Sequence, residues 1–170
     1  IQLATPGDYD VIRLLHADRQ RGWLYFQAAP EDATQRFLYR VRFDGSDRQR
    51  VTPEDATGVH EYDIAPDGRH AIHRWSRFDR PPQAELVRLP GHERVRMLMD
   101  NSKLQQRIDR LRRSPPEFFQ VDIGDGVTLD GWCIRPPSYD SRKKYPLLIY
   151  VYGEPAGTTV VDRWNGKSYL

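Results

Sequence analysis

The sequence predicts a chain in two parts, a piece of something longer. Residues 1–100 read as the last two blades of a β-propeller, and residues 101–170 as a linker helix and the first strands of an α/β sheet. Three observations carry this. Short strands and turn signals recur in the same order, with Trp23 and His70 opening corresponding strands 47 residues apart, the period of a four-stranded blade. Near residue 100 the pattern changes from short alternating strands to helical spacing. Finally, Leu147-Leu148-Ile149-Tyr150-Val151-Tyr152 runs without alternation between Lys143-Lys144-Tyr145-Pro146 and the turn Gly153-Glu154-Pro155, as in a strand covered on both faces. Pro146 stands at its first edge, where a missing backbone donor is tolerated.

In order, Ile1 to Thr5 is a short alternating run closed by Pro6-Gly7-Asp8. Val11 to Leu15, Trp23 to Ala28, Phe37 to Arg42 and Arg48 to Thr52 then form the first four-stranded unit, with Asp44-Gly45 closing its last hairpin. Val59 to Ile64, His70 to Trp75, Glu85 to Leu89 and Arg94 to Met99 form the second, with Pro66-Asp67-Gly68 as a turn and Arg77 to Pro82 as a loop. A β-sandwich would show the same strand density. Blades cannot bury both faces alone, so two are too few for a closed ring.

Asn101-Ser102 reads as a helix N-cap, and Leu104, Ile108 and Leu111 fall at i, i+4 and i+7. Arg107, Arg110, Arg112 and Arg113 crowd the last turns, where cations complement the macrodipole and a solvated face suffices to explain them. Phe118 to Ile123 and Val127 to Ile134 flank the hairpin signal Asp125-Gly126. A hairpin followed by a buried apolar strand is how many α/β-hydrolase sheets begin. Ligands bind at the carboxyl ends of strands in such sheets, which draws attention to Tyr152.

Charged residues make up 29% of the chain and the mean hydropathy is −0.75, yet aromatics reach 11%, enough to build cores. A net charge of +2 with dispersed basic residues argues against nucleic acid as a partner. Cys133 is alone, so no internal disulfide forms, and no run of 18 apolar residues suggests a membrane span. The compartment is not decided by these residues.

Gly166-Lys167-Ser168 imitates the end of a phosphate-binding loop, but the glycine required five positions earlier is Val161. His70 and His73 point to opposite faces of one strand, and His16, His60 and His92 have no partner at zinc spacing, so all five read as ordinary polar residues and no metal or cofactor is expected. Glu61 and Asp63 share a strand face, the arrangement of solvated rim carboxylates more often than of a glycosidase pair. No Gly-x-Ser-x-Gly elbow occurs, Ser141 lies in a charged loop and Ser168 lacks flanking glycines. Residues 1–170 therefore offer no nucleophile, acid or base, and the segment alone is expected to be inactive.

At Asp100-Asn101-Ser102-Lys103-Leu104, and again from Lys143 through Pro155, the chain resembles the dipeptidyl peptidase IV branch of the prolyl oligopeptidase family of serine peptidases. The resemblance extends over essentially all 170 residues, through Gly7-Asp8-Tyr9-Asp10-Val11, Leu38-Tyr39-Arg40-Val41 and the turn Ala65-Pro66-Asp67-Gly68. It implies a propeller over an α/β-hydrolase domain, a peptide substrate held between them, and release of N-terminal dipeptides after proline or alanine. It places the catalytic triad, the rest of the proline pocket and the acidic residues that grip the substrate's amine outside this segment. Within it, Tyr152 matches the tyrosine whose hydroxyl helps form the oxyanion hole, whereas by residue type alone an aromatic at a strand end is a packing side chain. Glu154 stands where relatives often carry a second glycine, and no role is implied for Arg163 or Asn165. Dimers are common in this branch and its bacterial members are often exported, which favours the periplasm or secretion over the cytoplasm. A non-catalytic binding protein, or a prolyl endopeptidase or acylaminoacyl peptidase, would share this region. The first is separated by a missing serine elbow downstream, the others by a missing acidic pair upstream.

Overall fold

The computed structural model describes residues 3–151, 153 and 158–166. Its framework is two consecutive four-stranded antiparallel sheets, each ordered as in the sequence. The first holds β1 (Val11–Asp18), β2 (Trp23–Ala28), β3 (Phe37–Arg42) and β4 (Gln49–Arg50), and the second β5 (Val59–Ile64), β6 (His70–Arg77), β7 (Arg80–Arg88) and β8 (Glu93–Met99). The helix α1 (Ser102–Asp109) and a hairpin of β9 (Glu117–Asp122) and β10 (Thr128–Cys133) follow. No described helix is long and apolar enough to cross a membrane.

Both faces of β2 and β3 are covered, and the two-residue period sorts their side chains. Trp23, Tyr25 and Leu38 face the second sheet and join Val51, Tyr62, Ala71, Val87 and Leu89 in the core between the sheets. Phe26, Ala28, Phe37, Tyr39 and Val41 make a second cluster on the other face, with Tyr9 and Leu24 against it. The Arg40 and Arg42 guanidiniums each lie 4.0 Å from the Trp23 ring centroid, so these in-facing arginines add cation–π contacts and not unpaired charge. The sheets are stitched where Arg36 bridges Val59: Arg36 N–H donates to the Gly58 carbonyl at 3.1 Å and His60 N–H to the Arg36 carbonyl at 3.0 Å. At this crossing a Cβ on Gly58 would collide with the Ser76 carbonyl oxygen, and its φ of 104° is one that side-chain-bearing residues avoid.

Three expectations change. The stretch expected as a loop over Arg77–Pro82 is strand from Arg80, because Pro81 and Pro82 sit at the first positions of β7, where ladder donors are dispensable. The helix ends at Asp109, leaving Arg112 and Arg113 beyond it. Asn101 adopts the left-handed conformation (φ 50°) and makes no side-chain cap. Instead Asp100 Oδ1 accepts the Ser102 N–H at 3.0 Å, and Asn101 Nδ2 reaches the Pro82 carbonyl at 2.6 Å, pinning the helix start to β7. Finally, the expected buried strand at Leu147–Tyr152 belongs to no ladder as far as it is described: Leu148 is 94% and Ile149 70% exposed. A strand of this kind is buried by its neighbours, and none of the described strands pairs with it.

Candidate functional site

Tyr152, the expected oxyanion donor, lies outside the described residues, as do Glu154, Lys167 and Ser168. Residues 158–166 return to the two sheets and dock on the loops at one end of them, through Asp162. The β2–β3 loop prepares its half of the contact by an aspartate turn. Asp32 Oδ1 accepts both the Thr34 N–H at 2.8 Å and its hydroxyl at 2.7 Å, and this presents the Thr34 carbonyl to the Asp162 N–H at 2.8 Å. The end of β6 and the β6–β7 loop supply the other half. The Phe78 N–H donates to Asp162 Oδ1 at 2.8 Å, and Ser76 Oγ accepts the Trp164 N–H at 3.2 Å. Gln35 Nε2 approaches Asp162 Oδ2 at 3.5 Å, and Arg77 Nε, buried and without a hydrogen bond, lies 3.9 Å from the same oxygen and 3.3 Å from Asp79.

Phe78 is gripped from a third side. Its ring meets Trp132 of β10 at 5.4 Å and Phe118 of β9 at 6.1 Å between centroids. The hairpin that carries those two rings turns through Asp125 (φ 53°) and Gly126 (φ 74°), the left-handed pair that Asp-Gly favours. Asp162 thus ties the chain after Tyr152 to both sheets, at the residue on which the β9–β10 hairpin also rests. Sequence reading passed over Asp162 because its partners are 84 and 127 residues away. Its one local signal is an acidic residue between Val161 and Trp164. Arg163 and Asn165 beside it are exposed.

A second polar constellation lies between the sheets. His73 Nδ1 contacts Glu85 Oε1 at 3.0 Å, His60 Nδ1 contacts His73 Nε2 at 2.9 Å, and His60 Nε2 faces the Thr57 carbonyl at 3.2 Å. Gln27 Nε2 donates to the His60 carbonyl at 2.6 Å. Tyr62 shares its hydroxyl with Thr52 Oγ1 and His92 Nε2, each at 2.9 Å, and stacks on His73 at 4.6 Å between centroids. Burial pushes His60 and His73 down to about 3, helped for His60 by the neighbouring His73 ring and for His73 by His92; burial also lowers His92 and raises the Tyr62 phenol. Each neutral ring carries one N–H, so the two rings supply two ring protons to this chain of contacts. One ligand atom each of His73, Glu85 and His92 lie within 4.8 Å of one another, and both nitrogens of His73 have hydrogen-bond partners. The described contacts join these side chains in one buried hydrogen-bond network. Sequence spacing gave no sign of it, because the fold gathers these histidines from three separate segments.

The remaining sequence candidates resolve simply. Glu61 and Asp63 are exposed and flank Arg74, at 4.0 and 2.8 Å, as rim ion pairs. Arg112 donates to Ser138 Oγ and Arg113 to the Asp79 carbonyl at 3.4 Å. His70 lines a cavity of about 460 Å³ at the opposite end of the sheets, beside Arg69, Arg88 and the buried Asp18, whose carboxyl the Arg21 guanidinium holds below the usual range. Among the described residues no serine hydroxyl or cysteine thiol is hydrogen-bonded to a histidine.

Comparison with known proteins finds relatives of one class. A family model described as the dipeptidyl peptidase IV N-terminal region matches residues 1–82. A protein named "Probable dipeptidyl-aminopeptidase B" from Aspergillus clavatus is 34% identical over 164 residues, 95% of this chain and 18% of that protein. Its namesake from Emericella nidulans is 32% identical over 166 residues, 96% of this chain and 18% of that one. The crystal structure of Porphyromonas gingivalis dipeptidyl peptidase 4 superposes with a TM-score of 0.87 at 25% identity, covering 96% of this chain and 23% of that one. Over almost its whole length the chain is similar to proteins of the dipeptidyl peptidase IV branch. It spans less than a fifth of the length of these curated relatives.

Proposed function

We propose that residues 1–170 are part of a serine exopeptidase that releases N-terminal dipeptides from peptides with proline or alanine at the penultimate position. In this reading the two four-stranded sheets are the last blades of a propeller, and residues 101–170 open an α/β-hydrolase domain. The observation that carries it is the superposition on dipeptidyl peptidase 4, which runs through both sheets, the helix and the hairpin in one piece. The nucleophile, acid and base belong to a region outside residues 1–170. The segment contributes Tyr152, whose phenol donates to the oxyanion that forms when the serine attacks the scissile carbonyl.

A donor aimed at developing charge is worth about one to three orders of magnitude in rate. Tyr152→Phe in the full-length protein is expected to lower kcat on a glycyl-prolyl substrate by that amount while leaving the protein folded. An unchanged kcat would remove the assignment.

A further inference from the structure

We propose that His73, Glu85 and His92 form a binding site for a divalent metal ion, Zn²⁺ by the chemistry of two imidazoles and a carboxylate, which fastens the second sheet between its strands and its last turn. The ladder builds the site. Tyr62, His73 and Glu85 are register partners on β5, β6 and β7, so they stand in one row on one face of the sheet. His92, from the turn between β7 and β8, meets His73 edge-on with 4.8 Å between ring centroids. One ligand atom from each of the three lies within 4.8 Å of the others, and His73 Nδ1 and Glu85 Oε1 are 3.0 Å apart. Ligands bonded at about 2.1 Å to a tetrahedral ion stand about 3.4 Å from one another, so the set has little distance to close.

The count of protons points the same way. The Glu85 carboxylate is buried, and among the described residues its one ion-pair partner is the His73 ring. A buried carboxylate without a cation is costly. The Thr57 carbonyl and the carboxylate only accept, and between them stand two imidazoles with one N–H each when neutral. The three contacts in this row, Thr57 to His60, His60 to His73 and His73 to Glu85, need three protons and have two. However the two are placed, one contact is left with lone pairs facing each other. A third proton would repair it but would leave His92 without a part.

A divalent ion shared by His73 Nδ1, Glu85 and His92 removes the need for a proton there. His73 Nε2–H then donates to His60 Nδ1, and His60 Nε2–H to the Thr57 carbonyl, so every acceptor in the row is answered. A ligating imidazole held by a hydrogen bond from its other N–H is the regular second layer of a metal site. The Tyr62 hydroxyl faces His92 Nε2 and Thr52 Oγ1 at 2.9 Å each, so turning its proton to Thr52 frees that nitrogen for the ion. His92 is partly exposed in its turn, which gives the ion a way in.

The test uses the full-length protein near neutral pH, beside the variants Glu85→Gln and His92→Asn. Each is equilibrated with excess zinc chloride and desalted, and zinc per chain is counted by mass spectrometry. The parent is expected to retain about one zinc per chain more than either variant, whatever other sites the longer chain adds. Zinc is also expected to raise the thermal midpoint of the chelator-stripped parent and not that of the variants, since an ion that binds only the folded state stabilises it by mass action. Glu85→Gln is expected to fold, because its amide N–H donates to His73 Nδ1 and supplies the missing proton. Should it not, His92→Asn decides alone, its residue being one that accepts the left-handed turn at φ 54°. Equal zinc in the parent and in either folded variant overturns the site and leaves a third proton as the answer to the Glu85 charge. A stripped parent whose midpoint zinc does not move overturns it as well.

Discussion

Three imidazoles between two sheets are tolerated because each is given hydrogen-bond partners that a neutral ring can use. Glu85 contacts His73, His73 contacts His60, and Tyr62 and His92 complete the far side. The arrangement depends on those rings staying uncharged. Unfolded, His60 and His73 protonate near the ordinary value of 6.5; folded, burial delays this to about 3. Between those values the unfolded chain binds more protons, so stability falls as pH drops from 6.5 towards 3, and above 6.5 the two rings contribute no slope. The thermal midpoint of the full-length protein is expected to be lower at pH 4.5 than at pH 7. His73→Gln, whose amide still donates to Glu85, is expected to shallow that dependence. An unaltered slope in the variant would assign the pH response to other groups.

At the scale of elements, stability is concentrated where β2 and β3 are covered on both faces. Leu38 is fully buried between the sheets, and Ile72, on β6, is 39% exposed. Leu38→Ala removes buried methyl groups and leaves a void, at a cost of about 2–5 kcal/mol. Ile72→Ala is expected to cost less than about 1 kcal/mol, as at other partly exposed sites. Urea unfolding midpoints measure both, and equal losses would contradict the placement of the core. The same elements show what a sequence makes visible. The strands Trp23–Ala28, Phe37–Arg42 and Val59–Ile64 have the bounds that their turn residues announce, because Gly22, Asp44-Gly45 and Pro66-Asp67-Gly68 break the strands chemically as well as in pattern. The start of β7 was hidden, since Pro81-Pro82 signals a loop unless one knows that the first strand positions need no donors. The helix cap fell to Asp100 and not to Asn101-Ser102 because Asn101 was drawn to the Pro82 carbonyl, a contact no local pattern encodes. Asp162 and the histidine network were illegible for the same reason: their meaning lies in residues brought from other segments.

Over the whole molecule, the run Leu147–Val151 is the place where residues 1–170 and the longer relatives are expected to differ most. Leu147, Leu148, Ile149, Tyr150 and Val151 are each at least 69% exposed here, whereas the other exposed large apolar residues described are adjacent in pairs at most, as in Val11-Ile12, Leu98-Met99 and Phe118-Phe119. Five adjacent residues of high β-propensity, without charge or proline, are a template for pairing with another chain. Residues 1–170 expressed alone are therefore expected to bind a hydrophobic dye strongly and to self-associate, and Leu148→Lys in that piece to reduce both without lowering its thermal midpoint. In the full-length protein the proposed α/β sheet would cover the run on both faces. There the same substitution would bury an unpaired ammonium, and the outcome is expected to reverse, with loss of soluble protein or several degrees of thermal midpoint. A Leu148→Lys full-length protein as stable as its parent would mean that the run stays at the surface. It would then be a docking edge and not the second strand layer of a catalytic domain.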